Sequence, residues 1–299
     1  MFVIRNKFVF IGISTALVAI SIALTSIYGL HLGIDFKGGA ALELSYKDGR
    51  PDAQVLTDTI SKSDLGQALV QPVGETDYLI KTRSLDESKG EKSELIKLAS
   101  LDGKYSPTEV NYTSIGPSVG HELRTKAIVL IIIVSLAIIF FIAYSFRKVA
   151  HPVSSWKYGL IAVGTLLHDI IIPVGVFALV SHSTGTEVDT LFVVAILTIL
   201  GLSVSDTIVV FDRIRENLKS HIAPTFEETV GKSISQTFGR SINTSLTVII
   251  ALLALVFFGP ESTRTFSIML TAGMFFGTYS SIFLASPLLV VWQVGTKKK

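Results

Sequence analysis

A few ionisable side chains fall inside stretches that are otherwise apolar, and their spacing limits the chemistry open to them. Asp206 stands six residues before Asp212, so on a helix it lies roughly 9 Å inside the end that Asp212 marks. Ser203 is one turn away on the same face, and Ser205 and Thr207 flank it. Arg240 opens a later apolar run, with Thr244 and Thr247 following at i+4 and i+7 as one polar stripe. An ionised Asp at the centre of a membrane helix costs roughly 3 kcal/mol, so such a residue is expected to be paired or to face an aqueous path. A facing Asp206–Arg240 pair would offset part of both desolvation costs. A changing distance to the cation would change how firmly the carboxylate holds a proton, which is a minimal proton-coupled switch. A static ion pair that fixes helix register fits the same spacing.

His168 and Asp169 form a second ionisable position in another apolar run. Gly164, His168 and Gly175 lie close to one helical face, a small-residue stripe suited to tight packing. Neighbouring helix positions diverge by about 100°, so the two side chains cannot meet one neighbour squarely. A His bonded to a backbone carbonyl and an Asp capping a polar gap is the plainer reading, with packing as the main role. Gly273 and Gly277, continued by Ser281 and Ala285, make a further small-residue stripe that fits packing within the chain or against a partner. The chain has no cysteine, which excludes disulfides, thiolate metal sites and a Cys nucleophile. No Gly-x-Gly-Asp or Gly-x-Ser-Gly pattern supports an intramembrane protease, so no catalytic residue, cofactor or metal is expected.

The elements that must hold these residues are membrane helices. Of 299 residues, 49% are hydrophobic and 17% charged, against about 25% charged in a soluble domain. Six apolar runs approach the ~20 residues a bilayer requires: Phe8–Leu30, Ala127–Phe146, Tyr158–Val180, Thr190–Phe211, Ser241–Phe258 and Thr265–Trp292. The first is too long for a signal peptide and is expected to stay as an anchor. Arg5, Lys7, Arg147, Lys148, Lys157, Arg213, Arg215, Lys219, Lys232, Arg240 and Lys297 to Lys299 would share one side, while the two short loops on the other carry only Arg264. The positive-inside bias then puts both termini in the cytoplasm and residues 31–126 outside. Trp156 and Trp292 lie where interfacial anchors belong.

Residues 31–126 hold 15 of the 24 acidic residues and alternate as a solvated domain does. The pattern reads strand, helix, strand, strand, helix, strand, which is a ferredoxin-like split βαβ. The expected fold is therefore an all-α membrane bundle of six helices with an inserted α+β domain. The expected parts are a cytoplasmic N-terminus and first helix (1–30), the outer domain (31–126), and a five-helix bundle (127–293). A cytoplasmic loop (212–240) lies within that bundle, and a basic tail (294–299) follows it. Thr225 and Glu228 make a capping box, and Phe226, Val230 and Ile234 recur every four residues, so that loop is expected to carry an amphipathic helix on the membrane surface.

Several stretches resemble the SecF family of bacterial protein-export proteins, within the resistance–nodulation–division superfamily. They are Gly33-Ile-Asp-Phe-Lys-Gly-Gly39, Ile115-Gly-Pro-Ser-Val-Gly120, the run from Gly201 to Asn217 around Ser203-Val-Ser-Asp-Thr207, Gln236-Thr-Phe-Gly-Arg-Ser-Ile-Asn-Thr-Ser-Leu-Thr247 and Gly277-Thr-Tyr-Ser-Ser-Ile-Phe-Leu-Ala-Ser-Pro287. The resemblance implies a complex with SecD, association with the SecY channel complex, contact with translocating preprotein, and no nucleic acid. It implies an inner-membrane location and export driven by the proton gradient, with protons as the coupling ion. In that family the matching Asp and Arg belong to the proton pathway, here Asp206 and Arg240, with Thr244 a partner. His168, Asp169 and Ser203 are secondary candidates. The competing readings are a proton-coupled exporter of small molecules or lipids, which usually has twelve spans in one chain, and a pure assembly scaffold.

Overall fold

The computed structural model describes residues 2–47, 49–145 and 155–297. Phe146, Arg147 and Lys148 of the expected second span and its following loop lie outside the described residues, as do Lys298 and Lys299 of the expected tail. The chain divides into two compact units. One comprises residues 1–30, 130–186 and 191–299; the other comprises 31–129 together with 187–190.

The elements, in chain order, are α1 (Phe2–Arg5), α2 (Lys7–Tyr28), α3 (Ile34–Lys37), β1 (Gly39–Ser45), α4 (Ala53–Ser61), β2 (Leu69–Val73), β3 (Asp77–Thr82), α5 (Glu91–Ala99) and β4 (Thr108–Ile115). They continue with α6 (Pro117–Ser145), α7 (Ser155–Thr184), α8 (Thr190–Lys219), α9 (Phe226–Phe258), α10 (Glu261–Ser280), a π-helical turn (Ser281–Ala285) and α11 (Ser286–Lys297).

In the α/β unit the four strands form one antiparallel sheet in the order β2-β3-β1-β4. Central β1 alternates, and its buried set Ala40, Leu42 and Leu44 meets Leu56 and Ile60 of α4 and Leu95 and Ala99 of α5. Two tyrosines close this core without stranding their hydroxyls: Tyr46 donates to the Ala99 carbonyl at 3.1 Å and Tyr78 to the Pro51 carbonyl at 2.7 Å. Pro72 sits in β2, an edge strand where its missing N–H costs no central ladder bond. Asp52 caps α4 by accepting from the N–H groups of Gln54 and Val55.

Two stretches singled out in the sequence meet in this unit. Gly38 and Gly39 have φ of +80° and +150°, which disfavour any side chain. A Cβ on Gly38 would fall 2.7 Å from Pro117 Cα, and one on Gly120 would fall 2.6 Å from the Gly38 nitrogen. The same segment binds the short connection 187–190. Gly33 donates to the Val188 carbonyl at 2.8 Å, and Val188 donates to the His31 carbonyl at 2.7 Å. Glu187 pairs with Lys81 at 3.0 Å and Lys37 at 3.8 Å. Asp35 Oδ2 accepts from both the backbone N–H and the hydroxyl of Thr190, the first residue of α8. A carboxylate from a distant segment thus caps that helix, where the orphan N–H groups and the helix dipole favour an anion.

Among the described residues, six helices are long and apolar enough to cross a membrane. In their apolar windows the third, fourth and sixth spans are 56%, 44% and 67% buried, against 11%, 6% and 17% for the first, second and fifth. The inner set is therefore α7, α8 and α10–α11, which carry most of the polar residues discussed below. One expectation needs correction. The segment read as a cytoplasmic loop (212–240) with a separate surface helix is mostly helix: α8 runs on to Lys219, and α9 is unbroken from Phe226 through Arg240 to Phe258. Thr225 does cap it through Glu228 N–H. Its Val230, Ser233, Ile234 and Thr237 face is buried, and Asn217 of α8 donates to Ser233 at 2.8 Å and Gln236 at 2.7 Å. Packing against α8, rather than against lipid headgroups, explains its amphipathic pattern. The backbone of α11 likewise stays helical to Lys297, where a tail was expected from residue 294.

Outside the spans, Glu91 accepts from both terminal nitrogens of Arg83, at 2.8 and 2.9 Å, and from the Asp86 N–H at 2.7 Å. The Arg83 hydrogen bond first, then the backbone donor, pushes the Glu91 carboxyl down to about 2. A folded-state value below the usual 4.5 means that this contact stabilises the domain above about pH 4.5 and loses that contribution as pH falls toward 2. Protection factors at Arg83, Asp86 and Glu91, taken relative to the intrinsic exchange rate at each pH, are expected to fall over that window in the intact protein, and Glu91→Gln to remove that pH dependence. An unchanged profile in Glu91→Gln would show that the contact is not what titrates.

Candidate functional site

The inner helices bring Asp169, Ser203, Asp206 and Ser280 together because small residues let the backbones approach. A Cβ on Gly273 would lie 2.3 Å from Cγ1 of Ile199, and one on Gly277 3.3 Å from Cβ of Ser203. The Gly273/Gly277 stripe therefore packs α10 against α8 within the chain. Gly175 of α7 does the same against α2, where an added Cβ would sit 2.5 Å from Ser21 Cβ. Gly164, expected in that stripe, has open space beside it.

Local backbone defects add to this. Pro173 lies inside α7 and offers no N–H to the carbonyl four residues back, which belongs to Asp169. Pro287 likewise withholds a donor from Phe283, inside the π-helical turn Ser281–Ala285. Ser280 and Ser281, at the start of that turn, are both fully buried. Ser281 meets Thr207 at 2.9 Å, so the widened turn places two consecutive hydroxyls against two different helices.

Asp169 is fully buried and completely engaged. Its Oδ1 contacts His168 Nδ1 at 2.7 Å, and its Oδ2 accepts from Ser203 and, at 2.8 Å, from Ser280. Asp206 is only partly buried and is held differently. Ser241 donates to its Oδ1 at 2.6 Å and the Ser281 hydroxyl stands close to the carboxyl, while Oδ2 makes no hydrogen bond of good geometry among the described residues. Asp206 lines a cavity of about 120 Å³ with Ser203, Arg240, Thr244, Ser245 and Thr278. Arg240 and Thr244 are exposed. Among the described residues Arg240 makes no ion pair with Asp206, although each lies within electrostatic reach of the other.

The expected residues thus share one region with altered contacts. Asp206, Arg240, Thr244 and Ser203 line one cavity, but Ser241, not Arg240, touches the carboxylate. The polar stripe of the fifth span is Ser241 and Ser245, with Ser245 bonded to Thr278. Thr247 turns back on its own helix, bonding the Asn243 carbonyl at 2.7 Å. His168 does not bond a backbone carbonyl as expected; it faces the carboxylate next to it in sequence. Sequence reasoning missed Ser241, Ser245, Thr278 and Ser280. The signal present was the i, i+4 spacing of Ser241 and Ser245, hidden because serine is common in membrane helices and satisfies itself there.

Six bilayer-length helices with hydroxyl-bonded carboxylates among them, and an α/β unit between the first two, define a multi-pass membrane protein with a polar centre inside its spans. The family model for the protein export membrane protein SecD/SecF C-terminal region matches residues 97–295, and that for the SecD/SecF GG motif matches residues 24–49. The chain belongs to the SecD/SecF family. It is 39% identical to the protein translocase subunit SecF of Thermobaculum terrenum, over 97% of this chain and 93% of that one. It is 34% identical to the protein translocase subunit SecDF of Bacillus subtilis, over 100% of this chain and 39% of the relative. The crystal structure of SecDF, a translocon-associated membrane protein, from Thermus thermophilus is similar with a TM-score of 0.82 and 28% identity, covering 97% of this chain and 38% of that one.

The close α8–α10 approach yields a prediction. Gly273→Ala is expected to destabilise the protein by about 1–3 kcal/mol through overpacking against Ile199. In an Ile199→Ala background the same glycine substitution should cost markedly less, since the obstructing atoms belong to that side chain. Thermal unfolding in detergent measures both; equal stability of Gly273→Ala and the parent would remove the close contact as a constraint.

Proposed function

We propose that this chain uses a transmembrane proton gradient, together with a SecD partner, to assist protein export through the SecY channel complex in the bacterial inner membrane. The observation carrying this reading is the Asp206 cavity: a carboxylate with one oxygen held by Ser241, the other making no hydrogen bond of good geometry, and a guanidinium across the same cavity without a closed ion pair. An ion pair already formed at full strength would resist change. One left open within a polar cavity is poised to exchange a proton and to alter the α8–α9 contact as it does so. Asp206 carries the proton, Arg240 sets its electrostatics, and Thr244 lines the entrance.

The outer domain takes up the resulting motion. Its strand order, with helices after β1 and β3, supports a ferredoxin-like reading. Residues 187–190 belong to that unit and connect α7, which carries Asp169, to α8, which carries Asp206. Both helices are therefore continuous in sequence with a turn that Asp35, Lys37 and Lys81 hold. The SecD partner is supported by relatives that carry SecDF in one chain, and by Arg240, exposed on a helix the chain itself covers poorly. The chain acts as a transport subunit rather than a catalyst. A small-molecule exporter fits less well, because a cavity of about 120 Å³ is smaller than the roughly 300–1,000 Å³ of ligand pockets.

Two experiments test this. A reporter after Lys299 should be cytoplasmic and a tag at Gly90 accessible from outside; the reverse would invert the proton entry and exit sides. In vesicles containing the partner and channel, Asp206→Asn should insert and assemble, and should lose gradient-dependent export while ATP-driven translocation persists. Arg240→Met should fail similarly. Wild-type gradient-dependent export by Asp206→Asn would leave assembly as the better account.

A further inference from the structure

Asp169 and His168 are in closer contact with each other than Asp206 is with any ionisable group, and the reading above gives them no task. The two are 97% or more buried, and their contact joins a titratable nitrogen to a carboxylate at 2.7 Å. We propose that the Asp169–His168 pair is a second proton-holding station, joined to the Asp206 cavity by the Ser203 hydroxyl. This rests on Asp206 carrying protons.

Three observations carry the inference. The first is connection. Ser203 lines the cavity that Asp206 lines, and its hydroxyl donates to Asp169 Oδ2. Ser203 and Asp206 are three residues apart on α8, hence neighbours on one face. The cavity, at about 120 Å³, has room for water between them. The second is charge. Asp169 faces His168 on its own helix, Ser203 with Asp206 beyond it on α8, and Ser280 on α10; Tyr279 of α10 stacks on the imidazole with ring centroids 6.4 Å apart. No described cation contacts Asp169. One added proton makes the pair neutral, and its loss leaves a buried negative charge, so the pair interacts with a proton strongly and as a unit.

The third is a built-in alternative for the hydroxyls. Ser280 Oγ lies 2.8 Å from Asp169 Oδ2 and 2.9 Å from the Gly277 carbonyl. When Oδ2 gains a proton, Ser280 can turn its hydrogen to Gly277 and leave no orphan donor. His168 Nε2 is buried with no hydrogen-bond partner among the described residues, so Nδ1 on Asp169 is the ring's one described polar contact.

The transfer balances without another reactant. Protonated Asp206 releases its proton through cavity water to Ser203 Oγ, and Ser203 passes its own hydroxyl proton to Asp169 Oδ2. One O–H bond at Asp206 breaks, one at Asp169 forms, and Ser203 ends as it began. The Asp169 proton then moves between Oδ1 and His168 Nδ1 as the carboxyl group reorients.

Asp169→Asn separates this role from packing, because an amide still accepts from Ser203 and Ser280 and can donate to His168 Nδ1. In vesicles containing the SecD-like partner and the channel, Asp169→Asn should assemble normally and keep ATP-driven export. It should lose at least about tenfold of the gradient-dependent part. His168→Gln, which keeps a donor but cannot titrate, should flatten the pH dependence of that part. Wild-type gradient-dependent export by Asp169→Asn, with Asp206→Asn inactive, would overturn the second station and leave the Asp206 reading intact. Wild-type behaviour of both variants would overturn both. If Asp169→Asn fails to assemble, infrared spectroscopy of the Asp206→Asn complex decides. A pH-dependent, deuterium-sensitive carboxyl or imidazole band from the Asp169–His168 pair is expected, and the absence of a pH-dependent band from either group at every pH tested would overturn the proposal.

Discussion

A hydrocarbon environment offers no water to a polar group, and the placement of Asp169 near the middle of α7 turns that fact into a constraint on every inner helix. Its carboxylate must find partners from the protein. His168 supplies one from the same helix, but the other oxygen needs α8 and α10 to approach closely. They do so because Gly273 and Gly277 leave room for Ile199 and Ser203. A larger residue at either glycine would push α10 outward and withdraw Ser280 from Asp169. The small-residue stripe, the polar cluster and the burial of the third, fourth and sixth spans are thus one arrangement viewed from three sides.

The backbone is loosened where this arrangement is tightest. Pro173 leaves the Asp169 carbonyl without its helical donor, and the π-helical turn begins at Ser281, next to the other hydroxyl that Asp169 depends on. Helices with intact ladders on both sides would hold Asp169 more rigidly. Departures of this kind are found at sites where a side chain must be aimed or must move. The α/β unit has a similar arrangement: Gly38 and Gly39 adopt backbone angles that disfavour other residues, and the same short segment carries Asp35 to Thr190. The motif is thereby explained by what it grips: the turn whose two ends continue into the helices of Asp169 and Asp206.

Much of this was legible in the sequence, for physical reasons that also mark where legibility ended. Six spans follow from length and hydropathy, because lipid imposes a single-valued test on a helix. The order of strands and helices between residues 39 and 115 followed from alternation and turn residues, since the sheet has one buried face. The 212–240 segment was misread because a periodic apolar face records burial without naming its cover, and Asn217 and Gln236 show the cover to be another helix. Asp206 and Arg240 stand out as charges among apolar residues, whereas their relative distance depends on helix rotation, which spacing does not encode. Serines were the hardest to read. Ser241, Ser245 and Ser280 look the same in sequence as Ser26 or Thr247, which only bond their own helices; only tertiary contact distinguishes a hydroxyl that serves a carboxylate.

The fifth helix carries the remaining tension in the structure. Arg240 lies 18 residues before Phe258, about 27 Å along the axis, a separation close to the thickness of a hydrocarbon layer of about 30 Å, which puts it near one edge of such a layer. There it is exposed, and Asp206 contacts Ser241 instead of it. A guanidinium in that position has three ways to lower its energy: reach the headgroups, meet a second chain, or close on Asp206. The first requires only the length of its side chain. The second requires a polar surface on a partner that also covers the poorly buried α9. The third requires Asp206 to be ionised, and protonation removes its attraction. A proton on Asp206 therefore changes which of these the arginine prefers, and with it the contact between α8, α9 and whatever covers them. In the proton-coupled role proposed for this chain, the open pair would give a proton leverage over helix packing, because an arginine with a single satisfactory partner would have nothing to exchange.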